Sequence, residues 1–134
     1  MTEEVSQWTF GDPQTFAVEF KMLRREPAPF GDLTLWIHGR AIGRENNPVF
    51  VYSVLTDLEA VVQLPTGADL ELSPIEFFDG YKISAAHDNK VIRFVWVYTD
   101  PIKHLAMNPI NATVPLAEVT AVVGQLRQLY DTLQ

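Results

Sequence analysis

Phe16-Ala17-Val18-Glu19-Phe20-Lys21-Met22 is the stretch whose reading decides the fold. Phe16, Val18, Phe20 and Met22 alternate with Glu19 and Lys21. That period of two puts all four apolar side chains on one face of a β-strand and the charges on the other. Arg24-Arg25-Glu26-Pro27-Ala28-Pro29 ends the strand, because proline cannot donate to a ladder. Leu33, Leu35 and Ile37 then repeat the alternation up to Gly39 and Gly43, both turn-permissive glycines. The two strands are expected to pair antiparallel across the proline-rich loop.

Beyond this hairpin the period changes. Asn46-Asn47-Pro48 is a turn or helix-start signal. Val51, Val54, Leu55, Leu58, Val61 and Val62 follow at helical spacing, with Ser53 as the expected N-cap and Pro65-Thr66-Gly67 as the stop. Asp57 falls on the exposed side of this helix and Glu59 at the edge of the apolar stripe. Leu70 to Phe78 is ambiguous, and Ser73-Pro74-Ile75-Glu76 predicts a short helical turn. Tyr81–His87 and Val91–Tyr98 flank Asp88-Asn89-Lys90 as a hairpin. The second of these runs is apolar on both faces apart from Arg93 and belongs in the middle of a sheet. Asn111 to Val114 predicts an edge strand, after an irregular stretch bracketed by Asp100-Pro101 and Asn108-Pro109.

A final helix carries Val119, Val122, Val123, Leu126, Leu129, Tyr130 and Leu133 in one stripe, with Pro115 in its first turn. Burying seven such side chains is worth roughly 10–20 kcal/mol before conformational entropy is subtracted. Gly124 inside it costs about 1 kcal/mol against Ala and suggests close backbone packing on the sheet. The expected fold class is therefore α+β: an antiparallel sheet of four to five strands, with a central helix and a C-terminal helix packed on one face. Residues 1–134 read as a single domain, with 1–8 poorly ordered until Trp8 or Phe10 meets the core.

Composition narrows the function. The 47% apolar and 20% charged fractions are those of a globular chain. No apolar run approaches the ~20 residues of a membrane span. The acidic start Met1-Thr2-Glu3-Glu4 lacks the layout of a signal peptide, and there is no cysteine, so a cytoplasmic location is expected. A net charge of −7 disfavours nucleic acid and anionic membrane, whose recognition draws on Lys and Arg. It suits attraction to a basic partner. The acid is concentrated between Glu45 and Gly80, where Glu45, Asp57, Glu59, Asp69, Glu71, Glu76 and Asp79 occur without a Lys or Arg. Basic residues lie before that segment (Lys21, Arg24, Arg25, Arg40, Arg44) and after it (Lys82, Lys90, Arg93). The segment is either a solvated face or a docking face; Asp57, Glu59, Asp69, Glu71, Glu76 and Asp79 are the candidate partner-binding residues.

Catalytic chemistry finds little support. His38, His87 and His104 have no second ligand at a metal-binding spacing. Ser6, Ser53, Ser73 and Ser84 are outside any G-x-S-x-G elbow, and no glycine-rich phosphate loop is present. Asp69 and Glu71 could do acid–base work, but carboxylates two apart on a strand are common surface residues. Trp36 and Trp96 either pack in the core or line a small-molecule pocket. No cofactor or metal is expected, and binding is favoured over turnover.

One motif goes further. Phe10-Gly11-Asp12-Pro13-Gln14-Thr15-Phe16-Ala17-Val18-Glu19-Phe20 resembles the opening F-G-[DE]-P-x-x-F-A-[IV]-E-[FY] of the immunity protein 42 family of bacterial polymorphic-toxin systems. Gly31 to Gly43 is similar to that family's next glycine, aromatic-bearing strand and G-x-x-[IL]-G turn, so the resemblance covers about a third of the chain. It implies a non-enzymatic protein that binds a cognate toxin domain stoichiometrically; separately, a monomer or weak homodimer is expected. A basic toxin such as a nuclease would be the charge-complementary partner. The motif also has a plain folding role: Asp12-Pro13 turns the chain while Phe10 and Phe16 clamp both ends on the core. Two other readings stay open, a secretion chaperone or adaptor and a small-molecule-binding protein with its pocket near Trp36 and Trp96.

Overall fold

The computed structural model describes residues 6–42, 48–72, 81–98 and 110–133. Its class is the expected one, antiparallel strands with a central and a C-terminal helix. The strands divide between two sheets. The first holds β1 (Gln7–Asp12), β2 (Phe16–Arg24), β3 (Phe30–Ile37) and β4 (Arg40–Ile42) in that order, with β5 (Val49–Phe50) on β3 beside β4. Helix α1 (Val51–Val62) carries the chain across to the second sheet, β6 (Asp69–Leu72), β7 (Tyr81–Asp88), β8 (Val91–Tyr98) and β9 (Ile110–Pro115), again in chain order. Helix α2 (Leu116–Leu133) follows.

The hairpin expected from the alternating residues is present, with Val18 opposite Leu35 and Phe20 opposite Leu33. A bulge between Met22 and Arg24 turns the end of β2. Strand β8 is interior and β9 is an edge, as its two-faced apolar pattern and the shorter run after it predict. Two hairpins close through two-residue turns in left-handed conformation: His38 and Gly39 at φ 52° and 77°, Asn89 and Lys90 at φ 44° and 69°. Consecutive positive φ values match the right-handed twist of the strands they join.

The N-terminal motif folds as a corner. Gly11 has φ 91°, and Asp12 Oδ1 accepts from the Gln14 N–H at 2.9 Å. The Gly39 N–H donates to the Pro13 carbonyl at 2.7 Å and the His38 N–H to that of Thr15 at 3.1 Å. The β1–β2 turn is thus tied to the β3–β4 turn. Pairing begins at Gln7, and Trp8 stacks on Phe20 with centroids 6.0 Å apart, so two of the eight residues expected to be poorly ordered belong to β1.

One hydrophobic cluster joins both sheets and both helices. Phe16, Phe20, Leu35, Leu55, Leu58, Ile83, Phe94 and Leu126 are among its fully buried members. Phe16 of the first sheet stacks on Phe94 of the second, centroids 5.5 Å apart. The helices pack on each other, α2 also against β1, β2, β8 and β9, and α1 against β3, β6 and β7.

Three local expectations are corrected. Ser53 is not an N-cap: α1 begins at Val51, after Phe50, and has no side-chain cap. The pairing of Phe50 with Phe30 feeds the chain from β5 straight into the helix, and the Val51 N–H donates to the Pro29 carbonyl at 3.1 Å. Pro115 ends β9 one residue before α2 opens. Gly124 marks no close packing, since a Cβ built there meets nothing within 4 Å. Of the seven stripe residues of α2, Val119, Val122, Val123 and Leu126 are buried, while Leu129 and Tyr130 pack at the margin. The turn expected at Ser73 and the stretch between Asp100 and Pro109 lie outside the described residues.

Candidate functional site

The acidic residues are carried by different elements. Asp57 and Glu59 sit half-buried on α1, and Asp69 and Glu71 are exposed on β6, the edge of the second sheet. Glu76 and Asp79 lie outside the described residues. Alternation along β6 sends Leu70 and Leu72 toward the core and Asp69 and Glu71 to the opposite face. That outer face continues through Ser84 and Ala86 of β7, Arg93 and Val95 of β8, and Asn111 and Thr113 of β9. Arg93 and Thr113 face each other across strands, and both are exposed.

Glu59 has a structural partner. The Arg127 guanidinium of α2 donates Nε–H to Glu59 Oε2 at 2.9 Å and a second bond through Nη2 to Oε1. Asp131, one turn further on α2, approaches Arg127 Nη1 at 3.5 Å. The hydrogen bonds to Glu59 raise the Arg127 pKa further, outweighing the partial burial that opposes them, and the carboxylate charges of Glu59 and Asp131 add to the effect. This fork ties α1 to α2 and leaves the Glu59 side chain partly exposed. Sequence spacing cannot show it, because the partners are 68 residues apart.

Trp36 and Trp96 are placed differently. Trp96 is 3% exposed within the core. Trp36 leaves β3 on the face opposite Leu33, Leu35 and Ile37, which are buried in that core. A layer of backbone therefore separates the two rings, and they do not line one pocket. The Trp36 indole N–H and Asp32 Oδ1 are buried on the outer face of β3 without a hydrogen-bond partner among the described residues. His38 Nε2 lies 2.7 Å from the Thr113 carbonyl, bridging the two sheets. His87 Nδ1 lies 2.7 Å from the Leu64 carbonyl, holding the α1–β6 turn. Among the described residues no three His, Asp or Glu side chains gather as a metal-ligand group. No helix there is long and apolar enough to cross a membrane.

A second surface escaped the sequence reading. Among the described residues, Leu23, Phe50 and Tyr52 are the exposed large apolar side chains, at 56%, 41% and 53%. Phe50 and Tyr52 flank the first residue of α1, and Leu23 lies at the bulge of β2. The Arg24 guanidinium stands 4.4 Å over the Phe30 ring, next to Leu23 in the chain. Phe30 meets Phe50 at 4.9 Å, Tyr52 follows two residues later, and Tyr52 meets Tyr130 of α2 at 5.7 Å. Arg25 Nε–H donates to the Leu133 carbonyl at 3.0 Å, tying the β2–β3 loop to the end of α2. The available signal was that Tyr52 falls off the apolar stripe of α1.

Neither a protein-family model nor a curated protein matches the chain. A solved structure does. The crystal structure of CdiI from Burkholderia dolosa AUO158 superposes with a TM-score of 0.64, covering 91% of this chain and 99% of that one at 13% identity. At that identity the likeness is one of fold, and over nearly its whole length this chain is similar in fold to CdiI.

Proposed function

We propose that this protein is a bacterial immunity protein that binds a cognate toxin domain and holds it inactive without turnover. The observation that carries the reading is the near end-to-end likeness to CdiI, an immunity protein of contact-dependent inhibition. The motif Phe10 to Phe20, similar to the opening of the immunity protein 42 family, points the same way and suggests that family within the class. The motif's residues build the β1–β2 corner, so they account for a shared fold without touching a partner. The acidic composition supports a basic toxin, nuclease-like in charge, approached through Asp69 and Glu71 on the outer face of the second sheet. Glu59, held by Arg127, belongs to the fold more than to that surface.

The test is co-expression with the product of the neighbouring gene, scored by growth and by co-purification. Rescue of a toxic neighbour together with a stable one-to-one complex is expected. A toxic neighbour that this protein neither rescues nor binds would sink the proposal.

A further inference from the structure

The edges of the two sheets are not alike. Among the described residues the edge strands are β1 and β4 with β5 in the first sheet, and β6 and β9 in the second. An edge strand offers unpaired N–H and C=O groups to any other strand, and proteins blunt it with charge, proline or brevity. β4 and β5 have three and two residues. β9 ends in Pro115, and its Thr113 carbonyl lies 2.7 Å from His38 Nε2. β6 carries Asp69 and Glu71, so a two-fold copy of it would set carboxylate against carboxylate. β1 has none of these devices. Its six residues hold one charge, Asp12, at the last position.

The ladder fixes which groups of β1 face outward. The Met22 N–H donates to the Ser6 carbonyl at 2.9 Å, so Ser6 and Met22 form a hydrogen-bonded pair. Such pairs alternate along an antiparallel ladder, and Trp8 with Phe20 and Phe10 with Val18 are the next two. Gln7, Thr9 and Gly11 therefore turn their N–H and C=O groups away from β2, and no described residue takes them up. The side chains at this edge are incompletely covered as well. Trp8 and Phe10 pack on the core yet stay half-buried, and Gln7 and Thr9 are exposed.

We propose that β1 pairs antiparallel with β1 of a second copy about a two-fold axis at Thr9, joining the first sheets of two molecules into one. This register engages all three outward residues, Thr9 bonding Thr9 and Gln7 bonding Gly11 across an isologous seam. The facing side chains then suit each other. Thr9 meets Thr9 on the outer face, and Trp8 meets Phe10 in the closer, non-hydrogen-bonded pairs on the core side; Thr–Thr and aromatic pairs are favourable cross-strand combinations. Asp12 comes opposite Ser6, so no like charges meet at the seam. The net charge of −7 on each copy opposes approach, which makes the dimer weak and tighter in salt. The inference rests on the β1 edge and not on the immunity reading.

The test follows the full chain by sedimentation and amide hydrogen exchange from about 10 µM to about 1 mM in moderate salt. A concentration-dependent dimer is expected, and as it forms the largest slowing of exchange should fall on Gln7, Thr9 and Gly11, not on Trp8 and Phe10, which already bond β2. Thr9→Lys sets two cations on the axis and should weaken dimerisation roughly tenfold or more. Thr9 is exposed, so the melt of the dilute variant should stay close to that of the parent. Thr9→Pro removes an outward N–H without breaking the β1–β2 ladder and should weaken the dimer too. A chain still monomeric at the highest concentration, exchange at these three amides that does not change with concentration, or a dimer that survives both variants would each overturn the proposal. Growth rescue by a strictly monomeric chain refutes the seam and leaves immunity standing; the expected dimer without rescue does the reverse.

Discussion

Gly124→Ala is expected to stabilise the protein, and the size of the gain follows from the helix geometry. Gly124 lies on the exposed side of α2, flanked in sequence by the buried Val122, Val123 and Leu126. A Cβ at Gly124 meets no atom within 4 Å, so the substitution adds no clash and fills no cavity. What remains is the backbone entropy that glycine loses on entering a helix, worth about 1 kcal/mol relative to Ala. An unfolding entropy near 2.1 cal/mol/K per residue, taken over 134 residues, converts that gain into a rise in Tm of about 3–4 °C. Circular-dichroism melts of parent and variant give the answer directly. Gly11→Ala is the matched control of opposite sign. Gly11 sits at φ 91°, and a Cβ there would run into the Phe16 carbonyl oxygen and come within 2.6 Å of Val122 Cγ2. It should lower Tm. A Gly124→Ala variant that melts at or below the parent temperature would refute the reasoning, because it would mean that a partner surface covers this side of α2 or that the helix bends there.

Leu126→Ala removes a fully buried side chain of α2 and should cost ~2–5 kcal/mol in urea denaturation; a loss below about 1 kcal/mol would contradict the core position of α2. A chain ended after Val114 loses Val119, Val122, Val123 and Leu126 together and should show no cooperative melt. Glu59→Gln and Arg127→Gln should each lower Tm, with the double variant losing less than the sum and the difference shrinking in high salt; strict additivity would show the fork contributes nothing. Asp69→Lys with Glu71→Lys should slow association with the cognate toxin roughly tenfold at low salt and flatten its salt dependence, with dissociation unchanged; unaltered association kinetics would remove β6 from the approach of the partner.

Local chemistry wrote much of this fold into the chain. The period of two in Phe16–Met22 and Leu33–Ile37 fixed which faces of β2 and β3 are buried, because a one-residue slip would expose every apolar side chain. Val91–Tyr98, apolar on both faces, announced an interior strand, and the stripes of α1 and α2 announced helices covering a core. The lack of any recognisable nucleophile or metal-ligand spacing steered the reading toward binding.

What the chain could not announce depends on residues far apart in sequence. The division into two sheets follows from α1 carrying the chain sideways, and a strand's own pattern holds no record of which non-neighbouring strands it joins. Ser53 looked like a cap, but pairing of Phe50 with Phe30 starts the helix earlier and satisfies the first N–H through Pro29. Glu59 looked like a surface acid until α2 brought Arg127 against it, and Trp36 looked like a neighbour of Trp96 until the pleat put them on opposite sides of β3. The contact of Phe30 with Phe50 arises in the same way. The two rings come from the end of a loop and the residue before a helix, which the β3–β5 pairing draws together. Alternation and helical periodicity are encoded within about ten residues and can be read directly. A docking surface is a product of long-range packing, and only the tertiary structure determines which side chains it leaves uncovered.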